Sequence, residues 1–416
     1  MENKRILALA LLLALVFSGC STETISCPPE NGTTNADVIS CEPVLIPDTD
    51  ATFADNLMKL TKDDGNRMVS PYSAKMCLAL LANGAKDETK QQILDAIGIS
   101  DLDAYNTYVK ETLERYETYA GVLALNTANS LWVNKSVHDR DFLPDYRDNM
   151  QDFYSAEVRE VTIDNSIEEV NAWAKEKTNG KIDSIFTEDH REFALALANA
   201  VYFKAAWEIP FEKYATKKQD FTDAYGLVSK LDFMNATDRF GYYEADGVKA
   251  VSLEYGKFGE KDGKQFYLAD KNYSFSMYFI LAENELDVEK FLNENTPFTT
   301  GNVHVSIPKF ELEYKIQLND ILMALGMENA FDDRADLSGL TGVRGLAVDD
   351  VLQKTYIKID EEGTEAAAVT AIAIDECAYI STEAPKEFIA DRPFYFAIRD
   401  NTSGELLFVG RYETSE

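Results

Sequence analysis

A catalytic or metal centre in this chain would have to be assembled from few parts. Histidine occurs three times, at His138, His190 and His304. None stands in the Asp/Glu or Cys pattern of a ligand set or a catalytic triad, so each reads as an ordinary surface or core residue. The five cysteines are too few for a disulfide scaffold. There is no G-x-S-x-G elbow, no H-E-x-x-H, no C-x-x-C and no G-x-x-x-x-G-K-[ST]. The acidic pairs Asp332-Asp333 and Asp349-Asp350 read as solvated faces rather than cation sites, and Trp132, Trp173 and Trp207 read as core. By subtraction the chain is not an enzyme, and no metal or cofactor is implied.

The 416 residues carry 40 Lys plus Arg against 72 Asp plus Glu, a formal net charge of −32. Such acidity repels nucleic acid and anionic headgroups, which excludes polyanion partners. At 45% hydrophobic and 27% charged the composition is that of a globular protein.

One segment does not behave like ordinary core or ordinary loop. After Lys358-Ile359-Asp360-Glu361-Glu362-Gly363 comes Thr364-Glu365-Ala366-Ala367-Ala368-Val369-Thr370-Ala371-Ile372-Ala373-Ile374. Its alanines favour helix, but its periodicity is that of a strand. Thr364, Ala366, Ala368, Thr370, Ile372 and Ile374 share one parity, while Glu365 and Asp375 lie on the other. It then runs into the polar stretch from Glu376 to Lys386. A strand-competent segment of small side chains, opening into an exposed loop, presents an edge that seeks a partner.

The surrounding elements are helical first and strand-rich later, which predicts an α+β fold. Phe53, Leu57 and Leu60 recur at helical spacing. Ser70-Pro71 caps a helix that Gly84 ends, Glu88 to Ile97 forms another, and Ile167, Val170, Trp173 and Ala174 mark one that stops at Asn179-Gly180. Phe193 to Phe203 is a long apolar run with Asn199 inside it. Strands follow at Tyr273–Leu281, Val303–Ile307, Phe394–Ile398 and Leu406–Val409. No linker or internal repeat interrupts Thr49 to Arg411.

The N-terminus reads as an address. Lys4 and Arg5 precede the uncharged apolar run Ile6 to Phe17, too short to span a bilayer and suited to a signal peptide over residues 1–19. Ser18-Gly19-Cys20 resembles a bacterial lipobox, with Phe17 where leucine is usual, so Cys20 is expected to carry lipid. Residues 20–48 then form a polar tether, in which Cys27 and Cys41 either pair or remain free thiols. This places the protein as exported and lipid-anchored to a bacterial envelope, on the extracellular face or in the periplasm.

The segment from Glu361 resembles the reactive-loop hinge of the serpins, protease inhibitors that insert their own loop into a central sheet. The match lies in Glu361, Gly363, Thr364, Glu365, Ala366, Ala367 and Ala368. Further blocks agree in order: Asn66 to Ser73, Asn171 to Ile182, Leu197 to Lys204 with Trp207 and Phe211, Val305 to Phe310, Leu325 to Phe331, Arg392-Pro393-Phe394 and Phe408 to Arg411. Together they span about residues 49–412. Gln353 stands where the family often has a shutter histidine, Ala205 where glycine is usual, and Ala282 where proline is frequent.

The resemblance implies a serpin fold over 49–416, with helices packed on a large central mixed β-sheet plus smaller sheets, and a reactive loop over about 361–391. It implies inhibition of serine-type, and by extension cysteine-type, endopeptidases by a suicide mechanism of loop cleavage and insertion. Gly363 to Cys377 is long enough for this, about 50 Å when extended. The family spacing from Glu361 puts the reactive bond between Cys377 and Ala378, or one or two residues on, for instance after Tyr379, suited to elastase-, subtilisin- or chymotrypsin-like targets. Ser70, Ser73, Asn199 and Gln353 would form the shutter and Trp207 the breach. The expected protein is a monomer that meets a membrane only through its lipid anchor. The alternative is a non-inhibitory serpin acting as a binding protein.

Overall fold

The computed structural model describes residues 51–61, 65–261, 263–294, 296–365 and 384–414. Chain contacts group Leu45–Glu416 as one unit. Signal peptide, tether, Cys20, Cys27 and Cys41 lie outside the described residues, as do Ala366, Ala367, Ala368, Cys377 and Ala378.

Six helices come early: Phe53–Leu60 (α1), Pro71–Gly84 (α2), Asp87–Ala96 (α3), Leu102–Glu117 (α4), Pro144–Tyr154 (α5) and Ser166–Lys177 (α6). Ser70 caps α2, its hydroxyl accepting the Ser73 N–H at 3.3 Å with Pro71 in the first turn. That cap satisfies one of the helix's unpaired donors. Apolar residues occur all round α2 and nearly all are buried, so the helix runs through the core. Cys77 lies within it, and burial pushes its thiol up to about 12, which leaves it unreactive.

The central sheet has six strands: Leu123–Asn134 (β1), Glu157–Val161 (β2), Leu195–Ala206 (β3), Phe310–Gln317 (β4), Asp350–Asp360 (β5) and the short Gly363–Thr364 (β6). Across the sheet the order is β4-β5-β6-β3-β1-β2, with β5 also paired directly to β3. The β3–β5 pair is parallel and the β3–β1 pair antiparallel, so the sheet is mixed. A nine-stranded sheet contains Phe275–Ala282, Thr299–Pro308, Phe394–Asp400 and Leu406–Tyr412. Its edge strand, Lys386–Ile389, runs parallel to Thr299–Pro308 and receives the chain on the far side of the loop. Phe258–Lys261 and Lys264–Tyr267 form a separate hairpin.

Both faces of the central sheet are covered. Leu195, Leu197, Val201, Phe203 and Ala205 face the main core. Ala196, Ala198, Ala200 and Tyr202 alternate with them and pack, with Trp132, Leu352 and Tyr356, under Val170, Trp173 and Ala174 of α6. A strand buried on both faces reads as an unbroken apolar run, which is how Phe193 to Phe203 looks in sequence. Residues 102–117, 123–134 and 310–317 carry elements that the sequence reading did not name.

One expectation is corrected in part. Of the pair Asp349-Asp350, Asp349 is exposed as expected but Asp350 is not. Asp350 is buried and accepts from Gln317 Nε2 at 2.8 Å, and Asp349 accepts the Ala194 and Leu195 N–H groups that open β3. Thr364 is fully buried between two strands of the central sheet.

Candidate functional site

The site is the line along which β3 and β5 meet. From Ala196–Asp350 to Tyr202–Tyr356 the two strands face each other directly, at a constant offset of 154 residues. Above Tyr202 and Tyr356 they part, and β6 fills the gap as an antiparallel wedge. Thr364 lies between Ala205 and Ile359, and Gly363 between Ala206 and Asp360. Each flanking pair keeps the offset of 154. The wedge therefore enters in register with the closed seam below it.

At this upper end the hinge backbone is held at several points. The Trp207 N–H donates to Glu362 O at 3.0 Å, the Phe211 N–H to Glu361 O at 2.9 Å, and the Trp207 indole to Asp360 O at 3.0 Å. Trp207 stacks on Tyr255, ring centroids 4.9 Å apart, and the Tyr255 hydroxyl bonds Thr364 Oγ1 at 2.6 Å. Burial would raise the Glu361 carboxyl, but Lys309 Nζ at 2.8 Å and Thr216 Oγ1 at 2.7 Å outweigh it and hold the group below its ordinary range. Glu362 pairs with Lys213 at 2.6 Å. Glu365 pairs with Lys181. A Cβ on Gly363 would lie 2.2 Å from Ala205 O. Glycine is required there by the close approach of β3, beyond any freedom it gives the hinge.

Midway down the seam, Ser70, Ser73, Asn199 and Gln353 converge. Gln353 accepts the Ser70 N–H at 2.8 Å and donates to Ser70 O at 3.0 Å and to Asn199 Oδ1 at 2.7 Å. Asn199 donates to Ser73 Oγ and, at 2.6 Å, to Asn129 Oδ1. All five residues are buried, so each bond made avoids a desolvated, unpaired polar group. None of the five side chains ionises, so this fastening carries no charge that pH would switch.

The sequence reading did not single out Asn129, Tyr255, Lys309, Thr216 or Lys181. Asn129 had a signal, a polar Asn-Ser pair inside an otherwise strand-like stretch. The others pair with residues 52 to 184 positions away, which no local pattern reveals. His138, His190 and His304 lie on separate elements, with Thr341, Thr187 and Thr237 as their respective side-chain partners. Among the described residues no group of three or more His, Cys, Asp or Glu is placed to hold a metal ion.

The family model described as serpin, serine protease inhibitor, matches residues 48–414. An uncharacterized serpin-like protein of Methanosarcina mazei is 30% identical over 100% of this chain and 99% of its own. The leukocyte elastase inhibitor of Bos taurus is 32% identical over 83% of this chain and 92% of its own. The native-state crystal structure of the thermophilic serpin tengpin superposes with a TM-score of 0.73 at 32% identity, covering 87% of this chain and 91% of that one.

Proposed function

We propose that this chain, which belongs to the serpin family, inhibits endopeptidases of the serine class by swallowing its own cut loop as a strand. The observation that carries the reading is the common offset at the seam. Continuing the register of β6 downward places every further loop residue between the β3 and β5 residues that now face each other. Ala367 would come between Tyr202 and Tyr356, and Thr370 between Asn199 and Gln353. Insertion then needs no sliding of one strand along the other. The strands move sideways by one strand spacing, about 4.8 Å.

The trap follows from this geometry. The protease serine attacks the carbonyl carbon of the residue before the scissile bond, placed at Cys377. The C–N bond to Ala378 breaks, the amine leaves with a proton from the protease's histidine, and an ester joins the two proteins. The freed strand then runs down the seam. Thr364 is already buried, so Ala366, Ala368, Thr370, Ile372 and Ile374 add the new apolar contact on the core face, at very roughly 1–2 kcal/mol each. Ala367, Val369, Ala371 and Ala373 would go to the α6 face, beside Ala198, Ala200, Tyr202, Leu352 and Tyr356. The ester is dragged along the sheet, and a protease pulled out of shape loses the oxyanion geometry that water attack requires.

The small hinge and its entry in register favour the inhibitor over the binding-protein alternative. Incubation with elastase-, subtilisin- and chymotrypsin-like proteases tests the reading. It predicts a complex that survives boiling in detergent, with the C-terminal fragment released and its N-terminal residue identifying the bond. Cut inhibitor with fully active enzyme in every case would favour the binding protein. Envelope attachment through Cys20 belongs to the same proposal. A Cys20→Ala variant should move from the membrane to the soluble fraction, and a wild type already soluble would remove that part.

A further inference from the structure

The upper end of the seam carries a cluster that the contacts above do not explain. Tyr202 and Tyr356 form the last direct β3–β5 pair. Their rings lie side by side on the α6 face, centroids 6.5 Å apart at 28°. Lys181, in the turn after α6, sets its ammonium 5.4 Å from the centre of the Tyr356 ring and pairs with the Glu365 carboxylate. Glu365 is where the chain leaves the sheet. Its N–H still donates to Lys358 O at 2.9 Å, while its φ of +47° turns the backbone away. A residue with a Cβ keeps that conformation only when its surroundings hold it.

Lys181 is a fixed point. The Gly180 N–H bonds Lys175 O at 2.8 Å and closes the end of α6. Asn126 Nδ2 ties Lys177 O to β1 at 3.1 Å, and the Ile182 N–H bonds Thr178 Oγ1 at 3.0 Å. From this anchored turn one lysine reaches both a side of the seam, through Tyr356, and the departing loop, through Glu365.

We propose that Lys181 is a positioning residue that latches the seam shut and Glu365 out of line, so that its release sets how fast the cut loop inserts. The proposal rests on the inhibitor reading above. For Ala367 to enter between Tyr202 and Tyr356 the two rings must separate, and Glu365 must give up its left-handed φ for an extended one. Each motion costs Lys181 one of its two contacts. Insertion competes with hydrolysis of the ester, so the latch divides encounters between trapped protease and released protease.

The test uses the full chain with Lys181→Met, which keeps the aliphatic stem, and with Glu365→Gln and the double variant. The loop is nicked, and the rate at which the nicked protein gains heat resistance is followed. The number of inhibitor molecules consumed per protease trapped is measured alongside. Each single variant should gain heat resistance roughly three- to tenfold faster and waste fewer inhibitor molecules, in keeping with a partly exposed ion pair. The double variant should go no further than Lys181→Met alone, because Glu365→Gln removes only a contact that Lys181→Met already removes. The fully cleaved forms should all melt together.

An unchanged rate in Lys181→Met, or an equal loss of stability in intact and cleaved forms, overturns the latch while leaving wild-type trapping intact. Should Lys181→Met fold poorly, Glu365→Gln breaks the same contact from its other side, and an unchanged rate there overturns the latch equally. A wild type that never gains heat resistance on nicking overturns the latch and the inhibitor reading together.

Discussion

Across the seam, Gln353 Nε2 donates to Asn199 Oδ1 at 2.7 Å, at the register position that Thr370 would take on insertion. The bond that fastens the intact sheet is thus the one that the proposed insertion would have to replace. A threonine hydroxyl both donates and accepts, so it can serve the two amides it separates.

Gln353→Ala should therefore weaken the two states unequally. In the intact protein it strips partners from the Ser70 N–H and the Asn199 amide, and buried polar groups left unpaired cost about 2–4 kcal/mol together. The loop-cleaved form should lose less, because Thr370 offers Asn199 a new partner. Denaturant unfolding of both forms measures this, and equal losses would contradict the register.

Thr364→Arg attacks the wedge itself. Thr364 is wholly buried, bonded to Tyr255 and flanked by Ala205 and Ile359, and an unpaired guanidinium there costs several kcal/mol, roughly 3–5. The variant should expel β6 from the intact sheet, remain a good substrate for cleavage of the loop, and release active protease. Undiminished trapping would show that the strand starts elsewhere.

Glu361 gives a pH dependence. Burial opposes its ionisation, but Lys309 and Thr216 win and its pKa is depressed in the folded state. A depressed carboxyl contributes stability that is present above its unfolded value, about 4.3, and is lost as pH falls through the folded value. Wild type should lose hinge anchoring as pH falls below the unfolded value of about 4.3 and through the depressed folded one, and Glu361→Gln should flatten that part of the acid limb. Melting curves across this range for the two proteins decide it, and superimposable slopes would assign the acid loss to other carboxyls.

Much of this was legible in the chain. Strand periodicity from Thr364 onward agrees with the short strand Gly363–Thr364, while the residues from Ala366 lie outside the described ones. Ser70 and Gly84 marked α2 because cap chemistry is local. The Asn199 amide showed as a polar residue in an apolar run. Whether the strand-competent segment had already begun to enter was not legible, because the gap that Thr364 fills is made by Ala205 and Ile359, which belong to two separate strands. The roles of Tyr255, Lys309 and Lys181 were hidden because their partners are distant in sequence. Asp350 looked solvated because burial on β5 depends on Gln317 and α6-side packing, which an acidic doublet does not announce.

On the proposed placement of the reactive bond, Cys377 sets the specificity. A medium-sized, weakly polar side chain before the bond suits pockets that take small apolar groups, and Cys377→Arg should shift inhibition from elastase-like toward trypsin-like enzymes. Rates of protease inactivation for the two proteins test this. An unchanged protease profile would move the scissile bond to another residue of the loop.

The most direct test of strand insertion needs no knowledge of the physiological target. The loop is nicked anywhere between residues 370 and 383, and the melting temperatures of intact and nicked protein are compared. A gained central strand adds two ladders of hydrogen bonds and several kcal/mol or more of apolar burial, so the nicked protein should melt far above the intact one, on the order of 20 °C or more. A nicked protein that melts at or below the intact form would contradict the account.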